Sequence, residues 1–328
     1  MNATESLTDV KYCDFEESLI GIHQRITELS DFPASGGVDF SAEIAKLRAR
    51  EEQVLREIYA RLTPWQIVQV ARHSQRPYFL DYVRMMSDDF EELHGDRLFG
   101  DDKAVVTGLA TIAGTRMALI GQQKGGGDVK ENMIRNFGMP RPEGYRKALR
   151  IMKLAEKFRL PLVTFIDTPG AYPGLDAEER GQGEAIAHNL REMAVLATPI
   201  LSVVIGEGGS GGALAIGVCD RLLMLQHAVY SVISPEGCAS ILWRDSAKAE
   251  EAATALRITA AELRRLGVVD EVLTEPLGGA HRNPLAMADV LKQVILRNLS
   301  ELARLPKQRL VEKRLDKIRG VGPVLERF

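Results

Sequence analysis

The chain has 328 residues, of which 42 are Lys or Arg and 45 are Asp or Glu, so its formal net charge is −3. This length predicts one large domain or about two. The near balance of charge gives no reason to expect nucleic acid or an anionic membrane as a partner. No apolar run approaches the roughly 18 residues that a bilayer-crossing helix needs, and Met1–Glu5 lacks the features of a secretory signal.

The number and spacing of the cysteines indicate the cell compartment. Cys13, Cys219 and Cys238 are odd in number and far apart in the sequence. They fit reduced thiols, and no pair has the spacing of a zinc site. We therefore expect a cytoplasmic protein with no metal on this chain.

The N-terminal part of the chain is predicted to be helical. Apolar stripes at helical spacing run through Leu19–Leu29 and Ile44–Leu62. Pro33–Gly37 separates the two stripes, and Asp39 or Ser41 is a suitable N-cap for the second helix. An antiparallel helical hairpin is the simplest interpretation. Its apolar stripes could pack on the chain's own domain or dock on a partner, and the sequence favours neither.

From about residue 104, strand patterns alternate with helix patterns. Val105–Ile112 and Thr115–Gly121 predict a β-hairpin, followed by a polar loop at 122–139. Helices are expected from Pro142, at about 178–197, from 206 to about 219, after Ser234, after a capping box at Thr259–Glu262, and at about 284–303. Strands are expected from Pro161, at 200–205, 222–225 and 229–233, and at Val268–Leu273. The alternation predicts a mostly parallel sheet in an α/β fold, with the active site at the carboxyl ends of its strands.

Two of the expected strands end in glycine-rich turns. Leu162–Asp167 runs into Thr168–Gly174, and a second buried strand runs into Gly206–Gly212, which holds five glycines in seven residues. Glycine permits positive φ and lets a backbone approach a ligand closely. Successive amides at such a turn can stabilise a developing negative charge. The sequence therefore predicts one site lined by backbone donors, with few catalytic side chains.

Two other motifs overlap the second turn. The stretch Gly206–Gly211 satisfies GxGxxG, but no acidic residue follows at the spacing that dinucleotide binding needs. Gly208–Gly212 matches the GxSxG nucleophile elbow, and Asp270 and His281 follow in the hydrolase order. A serine hydrolase using Ser210 is therefore the alternative function, although Ser210 is also simply a small residue at a crowded turn.

Several long motifs occur in one order along the chain. They are Asn136–Pro140, Pro142–Ala148, Phe165–Gly174, Gly206–Gly217 and Ser234–Trp243. Together they resemble the carboxyltransferase alpha subunit of bacterial acetyl-CoA carboxylase, and the resemblance extends over about residues 14–300. The chain departs from the family at Gly125–Gly127, where the loop is longer, and at both ends.

The resemblance implies a fold and a division of the chain. The fold would be a ClpP/crotonase-like spiral of ββα units with an N-terminal helical hairpin. Residues 1–100 would form the N-terminal helical region, 101–300 the crotonase-like carboxyltransferase domain, and 301–328 a basic C-terminal tail. The tail is rich in cations, namely Lys307, Arg309, Lys313, Arg314, Lys317 and Arg319. Such a pattern is more typical of a solvated helix face than of a binding arm.

The resemblance also implies an activity and partners. The enzyme would move a carboxyl group from carboxybiotin, held on the biotin carboxyl carrier protein, to acetyl-CoA, giving malonyl-CoA for fatty acid biosynthesis. It would work only with the carboxyltransferase beta subunit, in an α2β2 heterotetramer served by biotin carboxylase. In the family the zinc ribbon belongs to the beta subunit.

Carboxyl transfer of this kind creates negative charge on the biotin ureido oxygen and on the thioester oxygen. Two oxyanions call for two sets of donors. We predict that the amides of Gly211 and Gly212 bind one of them and that Gly170 and Ala171 line the same cavity. Gly208 and Gly209 belong to the same turn. The ureido oxygen is favoured for this subunit.

Substrate contacts are predicted at three side chains near the turns. Lys124 and Arg135 lie in the polar loop and could meet the phosphates of CoA, although a solvated loop accounts for them equally well. Tyr172 lies within the first glycine turn and is predicted to contact substrate.

Overall fold

The computed structural model describes residues 11–31, 39–126 and 128–322. The strands in this part of the chain are β1 (Asp89–Glu92), β2 (Val105–Ile112), β3 (Thr115–Gln122), β4 (Leu162–Thr168), β5 (Ile200–Gly209), β6 (Arg221–Leu225), β7 (Val229–Ser231) and β8 (Glu271–Leu273). They form one sheet in the order β1-β2-β3-β4-β5-β6-β8, with β7 paired to β5. The pairs β1–β2 and β2–β3 are antiparallel and the other pairs are parallel. The predicted mostly parallel α/β sheet is confirmed.

Helices surround this sheet. Those in the described residues are α1 (Glu17–Ser30), α2 (Ser41–Tyr59), α3 (Pro64–Ala71), α4 (Phe79–Met86), α5 (Val129–Ile134), α6 (Pro142–Phe158), α7 (Leu175–Glu179), α8 (Gln182–Val195), α9 (Ser210–Leu214), α10 (Pro235–Trp243), α11 (Ala249–Leu256), α12 (Ala260–Arg265), α13 (Pro284–Leu302) and α14 (Lys307–Gly320). Short 3-10 turns occur at Asp14–Glu16, Asn136–Gly138 and Ser246–Lys248.

The central strands are apolar and buried on both faces. Every residue of β4 is buried, and β5 is buried from Ile200 to Gly206. Helix α6 covers β2 and β3 with the residues that it buries on one side, among them Ala148, Ile151 and Ala155. Continuous apolar runs of this kind are typical of parallel strands with helices on both sides. They hold the carboxyl ends of β4 and β5 in fixed positions.

The predicted hairpin is confirmed, since β2 and β3 join with Ile112 opposite Thr115. The helix expected over 178–197 is instead two helices, α7 and α8, which Gly181 separates with φ of 82°. Strand β5 continues to Gly209 rather than ending at 205, because β7 pairs with its last residues. Helix α9 is correspondingly short and ends at Leu214.

The N-terminal helical hairpin packs on the chain itself. Leu19 of α1 meets Val54 and Leu55 of α2 in a small buried cluster. An ion pair of 2.8 Å between Glu16 and Arg282 ties this layer to the segment after β8. The predicted break at 33–37 lies outside the described residues, and Asp39 Oδ1 accepts the Ser41 N–H at 2.8 Å.

Residues on both sides of residue 100 contribute to the central core. Phe79 and Tyr82 of α4 lie in the central core, and β1 is part of the main sheet. Residues 79–92 therefore contribute to the same core and sheet as the residues that follow them.

The C-terminal segment is also part of the domain. Arg314 is 1% exposed, so its expected place on a solvated face is wrong. Its guanidinium pairs with Asp220 and donates to the carbonyl oxygens of Met193, Leu196 and Thr198. The segment over 307–320 is a docked helix.

Candidate active site

The carboxyl ends of β4 and β5 lie side by side. The two strands are parallel neighbours, and Thr168 pairs with Gly208. The 169–174 turn leaves β4 there, and the 206–212 turn carries β5 into α9. The structure therefore brings together the two glycine-rich turns that the sequence singled out.

The backbones of the two turns are in direct contact. A Cβ atom added to Gly209 would lie 2.2 Å from the Pro169 carbonyl oxygen. One added to Gly212 would lie 2.6 Å from the Gly170 carbonyl carbon, whereas one at Gly211 would meet its nearest neighbour at an ordinary 3.5 Å. Any side chain at Gly209 or Gly212 would push the turns apart. These two glycines are needed because they let one backbone touch the other.

Positive φ is not the reason for the glycines of the 206–212 turn, so that part of our expectation is wrong. The positive φ values near the site belong to Gly170, at 152°, and to Ser210, at 48°. No atom lies within 4 Å of a Cβ added to Gly170. The 169–174 turn thus has open space beside Gly170. Gly208 has a packing role, because a Cβ atom added to it would lie 2.3 Å from Cδ2 of the Tyr230 ring.

The predicted donors differ in their availability. The Gly170 N–H donates to Thr168 Oγ1 at 3.1 Å, and that hydroxyl donates to the Gly170 carbonyl oxygen at 2.8 Å. Gly170 is therefore occupied within its own turn. The N–H groups of Ala171, Gly211 and Gly212 have no acceptor among the described residues. First-turn amides of a helix have no partner within the helix.

A narrow cleft opens beside the 206–212 turn. Gly208, Gly209 and Pro169 line it, together with Arg72, which follows α3, and Pro235 of α10. Two of the predicted catalytic glycines, Gly208 and Gly209, therefore contribute to the lining of this cleft.

A buried amide links the two turns. Gln122, the last residue of β3, is fully buried. Its Nε2 donates to the Gly212 carbonyl oxygen at 2.6 Å, and its Oε1 accepts the Asp167 N–H at 3.0 Å. Sequence reasoning missed this residue. The available signal was a glutamine at the end of an apolar strand, where the alternation gives no reason for a polar side chain.

Lys124 lies between two carboxylates. Its Nζ is 2.7 Å from Asp167 Oδ1 and 3.0 Å from Glu207 Oε2. Burial alone would lower the pKa of Lys124, but the two carboxylates outweigh it and raise the pKa. The ammonium is thus charged and already paired, and a phosphate would have to compete with both carboxylates.

The ion pairs continue outward from Glu207. Burial opposes the charged form of Glu207, yet Lys124 and Arg72 lower its pKa. Arg72 Nε is 2.6 Å from Glu207 Oε1, and Arg72 Nη1 is 2.5 Å from Glu236 Oε1. The chain of charges ties the end of β5 to α10. Sequence reasoning missed Arg72, Asp167 and Glu207 because their partners are distant along the chain.

Arg135 and Tyr172 are also engaged within the chain. Arg135 Nε is 2.7 Å from Glu131 Oε1, and its Nη1 donates to the Lys103 carbonyl oxygen at 3.0 Å. The Tyr172 ring lies beneath the Arg141 guanidinium, with 4.7 Å between the guanidinium carbon and the ring centroid. Tyr172 is placed within the 169–174 turn as expected.

The hydrolase triad is not assembled. Asp270 accepts the Leu222 N–H at 2.6 Å and pairs with Lys317. Both ring nitrogens of His281 are buried without a hydrogen-bond partner among the described residues, and its ring stacks on His73 at 3.9 Å. A triad requires the histidine to bond both the serine and the carboxylate. Ser210 is an exposed residue at the start of α9 and lacks these partners.

Over the described ranges, no group of three or more His, Cys, Asp or Glu side chains is arranged to hold a metal ion. The same ranges contain no helix with the length and apolarity needed to cross a membrane.

The parallel sheet and its helices form a crotonase-like fold, in which the two glycine-rich turns meet at the carboxyl ends of β4 and β5. Solved structures share the fold: transcarboxylase 12S with methylmalonyl-coenzyme A and methylmalonic acid bound has a TM-score of 0.56 at 20% identity, over 71% of this chain. This chain spans less than half, 44%, of that protein. A Pseudomonas malonate decarboxylase hetero-tetramer in complex with coenzyme A has a TM-score of 0.57 at 16% identity, over 71% of this chain and 90% of that one.

Sequence comparison identifies the family. The model of the family described as acetyl co-enzyme A carboxylase carboxyltransferase-like matches residues 12–322. Acetyl-coenzyme A carboxylase carboxyl transferase subunits alpha are similar over nearly the whole length. The one from Azoarcus sp. strain BH72 is 56% identical over 95% of this chain and 97% of its own, and that from Bordetella pertussis strain Tohama I is 57% identical over the same shares. The chain belongs to the acetyl-CoA carboxylase carboxyltransferase family, and its function is carboxyl transfer within a multi-subunit enzyme.

Proposed function

We propose that this chain, paired with a carboxyltransferase beta subunit, transfers the carboxyl group of carboxybiotin to acetyl-CoA and that its own contribution is an oxyanion hole of main-chain amides. The observation that carries the proposal is the backbone contact between the 169–174 and 206–212 turns. That contact puts the backbones of the two turns side by side. The N–H groups of Ala171, Gly211 and Gly212 have no acceptors among the described residues.

The anion that these amides hold is the ureido oxygen of biotin. Carboxybiotin supplies the carboxyl group and, after its release, a basic ring nitrogen. Aligned amides in a water-poor site stabilise developing charge at no reorganisation cost, and removing one such donor typically costs about 2.7–4 kcal/mol. Gly211 and Ala171 are the more accessible donors, since both are partly exposed, whereas Gly212 is buried against the 169–174 turn.

The thioester oxygen of acetyl-CoA then needs a second set of donors, which we assign to the beta subunit or to a hole that both subunits share. The assembly is an α2β2 heterotetramer served by the biotin carboxyl carrier protein and biotin carboxylase, in the cytoplasm. The zinc belongs to the beta subunit.

Substrate contacts are proposed at Tyr172, Lys124 and Arg135. Tyr172 has the best position, because it lies in the same turn as Ala171. Lys124 and Arg135 each hold an ion pair within the chain. They can reach CoA phosphates only if those pairs open, so we expect weaker contributions from them.

The test is malonyl-CoA-dependent carboxylation of free biotin by the chain reconstituted with its beta subunit. Gly212→Val adds bulk where even a Cβ would collide with Gly170. We expect kcat to fall about 10²-fold or more, because the N–H groups of the turn would no longer be oriented toward the oxyanion. A normal kcat for Gly212→Val in an assembled complex would refute the oxyanion hole.

Ser210→Gly is the matched variant in the same turn. It removes the hydroxyl that a hydrolase would need and relieves the positive φ of Ser210. The carboxyltransferase should keep near-normal activity in this variant. Loss of all chemistry in Ser210→Gly, with the fold intact, would instead support the serine hydrolase.

A further inference from the structure

Helix α9, which carries the proposed donors, cannot hold its own orientation. It has five residues, and two of them, Gly211 and Gly212, are glycines. Glycine costs about 1 kcal/mol relative to alanine within a helix, and so short a helix is not stable by itself. Its orientation must therefore be set by contacts from outside.

The Gly212 carbonyl oxygen shows where such a contact is needed. Helix α9 ends at Leu214, and the Ile216 N–H donates to Ala213 instead. The Gly212 oxygen therefore gains no bond from its own helix. The Nε2 of Gln122 supplies that bond at 2.6 Å.

The other end of the same side chain holds the neighbouring strand. Gln122 Oε1 accepts the N–H of Asp167, two residues before the 169–174 turn begins. The amide has one possible orientation, because the Asp167 N–H can only donate and the Gly212 oxygen can only accept. A single planar group with no exposed surface thus connects α9 to the end of β4.

We propose that Gln122 is a positioning residue for carboxyl transfer, which sets the aim of the α9 amides relative to the 169–174 turn without touching substrate. This rests on the proposed oxyanion hole. It differs from a general packing role, because Gln122 connects the two elements that present the donors. A misplacement of catalytic groups by about 1 Å can cost roughly 10²-fold in rate.

Gln123 provides a matched control. It is the next residue, it is also buried, and its side chain also makes two hydrogen bonds, accepting the Leu80 N–H at 2.9 Å and donating to the Lys124 carbonyl oxygen at 2.8 Å. Neither partner belongs to the two turns. Replacing either glutamine by methionine removes one buried amide and leaves a donor and an acceptor unpaired.

The experiment compares Gln122→Met and Gln123→Met in the reconstituted complex, with free biotin and malonyl-CoA as substrates. Thermal midpoints of the two variants should fall by similar amounts. We expect kcat to fall about 10- to 100-fold in Gln122→Met alone, with the KM values for both substrates nearly unchanged. A lower kcat with unchanged KM values indicates lost alignment in the transition state rather than lost substrate binding.

Equal kcat values for the two variants would overturn the positioning role, and so would a loss in Gln122→Met that appears only in KM. If Gln122→Met does not assemble, Gln122→Asn keeps the amide but shortens its reach, and the same split in kcat is expected. Gly212→Val measured in parallel separates the two hypotheses. If it is inactive while Gln122→Met is normal, only the role of Gln122 fails, and if Gly212→Val is fully active, the oxyanion hole itself fails.

Discussion

The glycines of the 206–212 turn act by lacking a side chain. Gly209 and Gly212 let the 169–174 turn approach within contact distance, while the positive φ beside them belongs to Ser210. The sequence predicted the turn and its use of backbone donors, because five glycines between a strand and a helix favour a close approach to the backbone. It did not predict which amides are free. The Gly170 amide is taken by a hydroxyl two residues away, which composition cannot reveal.

We expect the stability of the protein to depend on pH through two stacked histidines, His73 and His281. Burial lowers the pKa of His281 to about 2, with His73 and the nearby Arg76 and Arg282 adding to it, and burial also lowers the pKa of His73. Both groups therefore bind protons more readily in the unfolded chain. Their contribution to stability is present above about pH 6.5, the unfolded value, and is lost as pH falls below it.

We expect the free energy of unfolding to decrease as pH falls below 6.5, by up to about 1.4 kcal/mol per pH unit for His281. The measurement is denaturant unfolding from pH 7.5 to 5. His281→Phe should reduce the slope. The same slope in wild type and His281→Phe would contradict the assignment.

Helix α14 shows how a charge pattern can mislead. Its basic residues predicted a solvated face, and most of them are indeed exposed, but Arg314 reaches into the domain and ties down the end of α8 and the start of β6. Sequence pattern does not separate these cases, because the partners of Arg314 are main-chain oxygens and one aspartate more than 90 residues away.

Arg314→Met should destabilise the protein by about 3–5 kcal/mol, because it leaves Asp220 buried without its charged partner. Lys313→Met, at the adjacent exposed position, should change stability by less than about 0.5 kcal/mol. Chemical denaturation of the two variants is the comparison. Equal stabilities would mean that α14 is not anchored through Arg314.

The alternating sequence pattern predicted the architecture of the molecule, including the β-hairpin, the parallel strands and the meeting of the two glycine-rich turns at their carboxyl ends. It did not predict the pairing of β7 with the end of β5, and it is this pairing that extends β5 to Gly209. The hydrogen bonds of the Gln122 amide and the ion pairs of Lys124 could not be predicted from the sequence either. They join residues 45 and 83 positions apart, and one sequence does not show which distant polar groups meet.

In the proposed function this chain supplies donors for one of the two oxyanions that carboxyl transfer creates. We therefore expect no malonyl-CoA-dependent carboxylation of biotin by the isolated chain and recovery of activity when a beta subunit is added. Analytical ultracentrifugation of the mixture should give the mass of two alpha and two beta chains. Full activity of the isolated chain would contradict the shared site.

Because the missing side chains of Gly209 and Gly212 are replaced by the backbone of Pro169 and Gly170, the two turns constrain each other. A protein engineer who lengthens the 169–174 segment to admit a bulkier acceptor of the carboxyl group would displace α9 at the same time. Grafts from other crotonase-like enzymes should therefore exchange both segments together, since a chimera with only one of them would lose the contact between the two backbones.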